Sequence, residues 1–192
     1  MDNKAPRGLP ERYDPFTSAP YLEFLKTKTE ADYSRVMSVG GVLFPNLASA
    51  VKIQDIKYIN ALAIKEFHEY KNAYLQKEGF SDSLWFTGRQ LKPLNNEIVI
   101  ETRTENDILK NLKYYSFLGV KYLIFPGDYN IEGFEKEAGR IFTRIYDGND
   151  AVIYENTKTL PRTFIASRIL KASSYKQAQS MSAVMDLKSE AV

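Results

Sequence analysis

The chain has 192 residues, 44% of them apolar, and its 26 basic and 24 acidic side chains leave a net charge of +2. That size suits one domain with its own core, and so even a balance argues against a dedicated nucleic-acid binder and against polybasic attachment to anionic lipid. With no cysteine and one histidine, His68, disulfides, thiolate chemistry and a His-rich metal centre are excluded, while a carboxylate-only calcium or magnesium site stays open.

Four of the eight prolines, Pro6, Pro10, Pro15 and Pro20, fall in the first twenty residues. Each fixes φ and removes a backbone donor, so residues 1–19 read as an extended lead-in. This N-terminus has no apolar core of a signal peptide, and no apolar run approaches the ~20 residues that span a bilayer. The chain is therefore either cytosolic or a piece of something longer.

A short helix is expected over Pro20–Thr27, with Tyr21, Phe24 and Leu25 on one side. A strand over Tyr33–Val39 follows, closed by Gly40-Gly41, then an apolar loop over Leu43–Leu47 and a second short strand over Ala50–Ile53. Ile56, Ile59, Ala63, Phe67, Tyr70 and Tyr74 are spaced 3, 4, 4, 3, 4, which predicts a long helix. Asp55 would cap it and Gly79 would end it. Residues 80–96 read as an irregular loop carrying Trp85 and Phe86, and Glu97–Glu101 as a strand.

Thr104 opens a further helix with Ile108, Leu112 and Tyr115 on one side, ending at Gly119. Val120–Phe125 is a strand stopped by Pro126-Gly127, and a short helix covers Ile131–Ala138. Phe142–Tyr146 and Ala151–Glu155 flank Asp147-Gly148-Asn149-Asp150, a hairpin signal. Arg162–Ile169 reads as one more strand, and Ser174 caps a terminal helix. The sum is an α/β (or α+β) fold: a mixed sheet of about five strands including one hairpin, flanked by three to five helices.

No phosphate loop, dinucleotide fingerprint or nucleophile elbow is present. Gly40-Gly41 is a strand-ending turn. His68 lies off the apolar stripe and reads as a surface residue, with no partner or nucleophile to make it a base. Asp147 and Asp150 suit a turn better than a metal loop, and Glu135 and Glu137 do not share a helix face. Most of the 13 tyrosines are expected at core edges, with ring buried and hydroxyl wet. No catalytic residue, metal ligand or cofactor is expected.

The order of several short pieces carries a resemblance. Leu118-Gly119-Val120-Lys121-Tyr122-Leu123-Ile124, then Val152-Ile153-Tyr154-Glu155-Asn156, then Leu160-Pro161-Arg162 are similar to a strand, a two-stranded segment and a Leu-Pro-Arg step of YfhO-type bacterial integral membrane proteins. Upstream, Tyr33–Val36, Phe44–Ala48 and Ile53–Ile56 resemble the family's entry strand, Pro-Asn loop and helix start. Met185–Val192 resembles the opening of a following β-rich module, with Leu187 where the family has proline.

The resemblance implies an extracytoplasmic domain over 20–172, with 173–192 forming a terminal helix and the start of the next module. The parent family is polytopic and related to lipid-linked-sugar glycosyltransferases, whose transfer chemistry resides in membrane-proximal loops that nothing here matches. The implied function is thus a non-catalytic accessory domain in cell-envelope polymer glycosylation or assembly. Its implied partners are the parent's transmembrane bundle and envelope glycan, not nucleic acid. The alternatives are a carbohydrate-binding module using exposed aromatics, Trp85 above all, or an independent cytosolic enzyme.

Candidate binding residues are Arg35, Asn46, Trp85, Tyr154, Glu155, Asn156 and Arg162. Asn46 and Asn156 suit backbone-bonding turns. Arg162 either pairs with Glu155 across the connection or receives an anionic ligand bidentately; Arg35 is open to the same two readings.

Overall fold

A computed structural model describes residues 18–43, 46–57, 64–75, 89–94 and 97–192. Helix α1 spans Pro20–Glu30, one turn longer at its end than the expected helix, and buries Tyr21, Leu22, Leu25 and Thr29. Strand β1 is Arg35–Ser38, and a single helical turn, α2, covers Leu47–Ala50. Helix α3, Lys65–Tyr70, runs on as a π turn over Lys71–Leu75. Strands β2 (Arg89–Leu94) and β3 (Glu97–Arg103) form an antiparallel pair.

Helices α4 (Thr104–Lys110) and α5 (Leu112–Phe117) lead into strand β4 (Val120–Pro126). Helix α6 (Glu132–Ala138) precedes the hairpin of β5 (Phe142–Asp147) and β6 (Ala151–Asn156). The chain then crosses β7 (Arg168–Ile169), helix α7 (Tyr175–Val184) and β8 (Glu190–Ala191). Ser174 caps α7 as expected, its Oγ accepting from the Gln177 N–H.

The fold is α/β. Among the described residues the main sheet has four strands in the order β1-β4-β6-β5, where about five were expected, and two-stranded sheets of β2-β3 and β7-β8 stand apart. β1 runs parallel to β4, and the other pairs of the main sheet are antiparallel.

Both faces of this sheet are covered, and the pleat sorts alternate residues between two cores. Met37, Leu123, Phe125, Val152 and Tyr154 point to one, where Ile108, Tyr115 and Phe134 of the helices meet them. Val36, Tyr122, Ile124, Ala151 and Ile153 point to the other, against Leu22 and Leu25 of α1. Met185 and Leu187 are buried in the first core. Asp150 ties hairpin to helix: its carboxylate accepts the Tyr21 N–H at the start of α1, the Tyr146 hydroxyl and the Ala151 N–H, a favourable place for an anion.

Four local expectations are corrected. Ala50–Ile53 is not a strand, because Asn46 in the left-handed region (φ 74°) starts the turn of α2, which buries Ala48. The long helix does not begin at Ile56. The Ile56 N–H donates to the Val36 carbonyl and Val36 accordingly bridges Asp55 in parallel, so this stretch lies along the free edge of β1. Its later part is helical from Lys65, while residues 58–63 and Gly79 lie outside the described residues. The expected loop over 80–96 contains strand β2 from Arg89 on. Finally, of Arg162–Ile169 only Arg168–Ile169 pairs, in parallel with Glu190–Ala191, and Phe164, Ile165 and Ile169 are exposed.

Asp55 bridges Val36 along the edge of β1. Its carboxylate accepts from the Lys57 N–H at 2.9 Å and the Ser38 hydroxyl at 3.2 Å. Burial pushes its pKa up to about 6, against the opposing pull of Lys57, and burial pushes Lys57 down to about 8.

Candidate functional site

Three backbone segments meet at one end of the main sheet. Register pairs Arg35 with Val120 and Tyr122 with Glu155, so the start of β1, the start of β4 and the end of β6 lie side by side. Gly119 adopts φ 73°, which a side chain would resist, and this turns α5 into β4. Its carbonyl accepts the Arg35 N–H at 2.9 Å.

The chain leaving β6 is then fastened back onto the same end. Asn156, buried, donates to Ser116 Oγ and to the Val120 carbonyl, both at 3.1 Å, and accepts from the Lys158 N–H at 2.9 Å. The Thr159 hydroxyl sits 3.0 Å from the Val120 carbonyl and 2.9 Å from that of Asn156. The Leu160 N–H donates to the Ser116 carbonyl at 3.1 Å.

These latches frame a cleft of about 360 Å³ lined by Asp32, Lys121, Glu155, Thr159, Pro161 and Arg162, among others. Lys121 stands between the two carboxylates, 2.7 Å from Asp32 Oδ2 and 3.4 Å from Glu155 Oε1. Partial burial acts to raise the Asp32 pKa, but bonds from Lys121 and Ser34 outweigh it and hold the carboxyl below its usual range. Lys121 is shifted upward, first by its bond to Asp32. The Ser34 hydroxyl is buried in the wall and makes no hydrogen bond of ordinary geometry, although it lies near enough to Asp32 to favour the carboxylate.

Arg162 does not pair with Glu155, because Lys121 holds that carboxylate. Instead its Nη1 donates to Gln54 Oε1 at 2.5 Å and to the Tyr33 carbonyl at 3.2 Å. Arg35 donates from Nη1 to the Leu118 carbonyl at 2.6 Å. Burial, then the charge of Arg162, lower the Arg35 pKa.

Of the residues proposed from sequence, Glu155, Asn156 and Arg162 thus line one cleft, while Arg35 bonds the Leu118 carbonyl next to it. Asn46 does not join them and sets the backbone at the start of α2. Tyr154 is buried in the first core, where its hydroxyl donates to Glu135 and accepts from Arg144 Nε at 3.0 Å. Burial first, and the bond to Glu135 next, raise its pKa to about 12. That cluster fastens α6 to the hairpin. Trp85 lies outside the described residues.

Sequence reasoning missed Asp32, Lys121 and Thr159. Lys121 had a usable signal: it is the lone charge in the apolar run Val120–Phe125, and a cation in a central strand requires partners.

The cleft hydroxyls of Thr157 and Thr159 are committed to backbone carbonyls, and its carboxylates to Lys121. Neither threonine hydroxyl is bonded to a side-chain general base. The tyrosines elsewhere are of several kinds: Tyr115 and Tyr122 are buried whole, where a wet hydroxyl was expected, and Tyr33 and Tyr175 are exposed. Tyr70, Tyr74 and Tyr115 each donate to a backbone carbonyl, and Tyr74 stacks on Tyr114 at 4.5 Å. His68 is exposed and contacts Asn72. Among the described residues no group of three or more His, Asp or Glu is placed to hold a metal ion. Compared with protein-family models, with curated proteins and with solved structures, the chain matches none.

Proposed function

We propose that this chain is a non-catalytic accessory domain on the extracytoplasmic face of a YfhO-like polytopic membrane protein. It holds a polar ligand or a neighbouring module at the cleft while the chemistry of envelope-polymer glycosylation proceeds in the transmembrane bundle. One observation supports this reading above the others. The sequence pieces behind the resemblance, 118–124, 152–156 and 160–162, are distant in the chain yet interlock at one end of the sheet through Asn156, Thr159 and Leu160. They act as a structural unit around a cleft whose two carboxylates both pair with Lys121.

The test is direct. The purified chain is incubated with lipid-linked sugar and acceptor polymer and the products are separated. No transfer is expected; turnover by the chain alone sinks the reading. In a parent protein carrying this segment, a phosphatase reporter fused after Val192 should be active, since that enzyme works only outside the cytoplasm. An inactive but intact fusion would reject the placement.

A further inference from the structure

Glu155 and Arg162, the opposite charges that the sequence would join, line the same cleft without pairing with each other. Lys121 lies nearer to Asp32, at 2.7 Å, than to Glu155, at 3.4 Å. Among the described residues that longer approach is the one ion pair of the Glu155 carboxylate, and no hydrogen bond reaches it. Asp32 is engaged further, its Oδ1 accepting from the Ser34 N–H at 3.0 Å. Two carboxylates around one ammonium leave a negative charge in excess on this side of the cleft. Arg162 carries the balancing positive charge but spends it on neutral acceptors, the Gln54 amide oxygen and the Tyr33 carbonyl, both from Nη1. Nε and Nη2 form the other edge of its guanidinium, the edge that meets a carboxylate with two parallel bonds.

We infer that the cleft receives a small zwitterion of the amino-acid class, its ammonium on Glu155 and its carboxylate on the Nε–Nη2 edge of Arg162. A simple anion at Arg162 would face the surplus negative charge around Lys121, and a simple cation at Glu155 would face Arg162. A ligand that carries both charges in the reverse order satisfies both sides at once. An uncharged polyol could bond to either group but would leave the two surplus charges unmatched. The hydroxyls of Thr157 and Thr159 give their hydrogens to backbone carbonyls, so what they turn to the cleft is oxygen lone pairs, suited to an ammonium with three donors. The anchoring is firm. Glu155 is paired on both sides within the sheet, with Tyr122 and Thr143, and Arg162 follows Pro161, whose ring fixes the backbone ahead of it. A volume of about 360 Å³ falls within the range of small-molecule sites.

This inference rests on the reading of the cleft as a holding site, and not on the membrane placement. The test is an amide-resolved NMR titration of the full chain at pH 7 with alanine and with its two halves, propionate, which lacks the ammonium, and ethylamine, which lacks the carboxylate. Saturable shifts are expected with alanine at the Glu155, Thr157 and Arg162 amides. Each half should bind about tenfold more weakly, the loss of one charge-assisted contact. In Glu155→Gln the affinity for alanine should fall to that for propionate, with propionate itself no weaker. In Arg162→Gln it should fall to that for ethylamine, with ethylamine itself no weaker. A cleft merely loosened by substitution would lose all three probes alike.

Dialanine, whose charges lie farther apart, separates the sources. Binding tighter than that of alanine would assign the site to the two ends of a short peptide, and weaker binding would assign it to a free amino acid. The proposal is overturned if neither zwitterion gives saturable shifts, if propionate or ethylamine binds as tightly as alanine, if glycerol produces the same shifts, or if the variants lose all probes alike or none. Any of these results would leave the accessory reading to stand or fall on the transfer assay.

Discussion

Asn156 holds more of the candidate site together than any residue that faces the solvent. Three hydrogen bonds converge on its buried amide; one reaches back to Ser116 of α5 and one to Val120 at the start of β4. Truncation to alanine leaves the Ser116 hydroxyl and the Val120 carbonyl buried without this donor. Asn156→Ala should therefore cost about 2–4 kcal/mol in a urea denaturation series, with the largest amide-shift changes at Ser116 and Val120. The residue's turn chemistry was legible in the sequence, because Asn after a strand bonds nearby backbone. Its grip on Val120 was not, since that contact joins residues 36 apart. The same limit explains Arg162. Sequence offered Glu155 as its nearest opposite charge, whereas the fold gives Glu155 to Lys121 and brings Gln54 to the arginine.

At the scale of elements, punctuation residues decided what could be read. The hairpin around Asp147-Gly148-Asn149-Asp150, the strand at Val120 and the helix capped by Ser174 all follow signals with a local cause. Ala50–Ile53 departs from expectation for a local reason, the left-handed Asn46; the stretch from Asp55 departs because it answers to something distant. The helical stripe from Ile56 is real as a pattern, yet the Ile56 N–H donates to the Val36 carbonyl and aligns the start of this stretch with the edge of β1.

Two glycines separate two kinds of requirement. Gly119 has φ 73°, and a Cβ there would stand 3.9 Å from the nearest atom, the Leu160 carbonyl oxygen. Gly119→Ala is strained by conformation alone and should lose about 1 kcal/mol. At Gly127, φ is not positive, but a Cβ would collide with the Asn149 carbonyl. Gly127→Ala must shift backbone and should lose more, on the order of 2–3 kcal/mol. Thermal melts of the two variants side by side check the ranking; equal losses would contradict it.

For the molecule as a whole, the sheet lies between two cores, and the alternation that divides them was readable in Tyr122–Phe125 and Ala151–Tyr154. The buried Asp55 beneath β1 makes the whole fold respond to pH. Its folded pKa of about 6 exceeds the ordinary value of 3.8. Between those values the folded chain keeps a proton that the unfolded chain has released, so this group's contribution to stability is largest below about 4 and falls as pH rises to 6. Lys57 acts in the opposite sense at higher pH: its folded value of about 8 lies below 10.5, so its contribution recovers as pH rises through that interval. Asp55→Asn should remove the first effect. Relative to the native chain, the variant should gain on the order of 2 kcal/mol between pH 4 and pH 6.5, read from urea midpoints at the two values. A parallel pair of profiles would show that Asp55 is ionised throughout.

The parallel pairing of β1 with β4 carries a consequence for biosynthesis. Strand β1 leaves the ribosome some eighty positions before Val120, where β4, its partner among the described residues of the main sheet, begins. Until then Val36 and Met37, wholly covered in the finished molecule, have no strand to lie against. The β5–β6 hairpin, emerging last of the four, needs only its own turn to close. Of these four strands the first made is thus among the last to find its seat, and the nascent chain carries a sticky apolar segment across that interval.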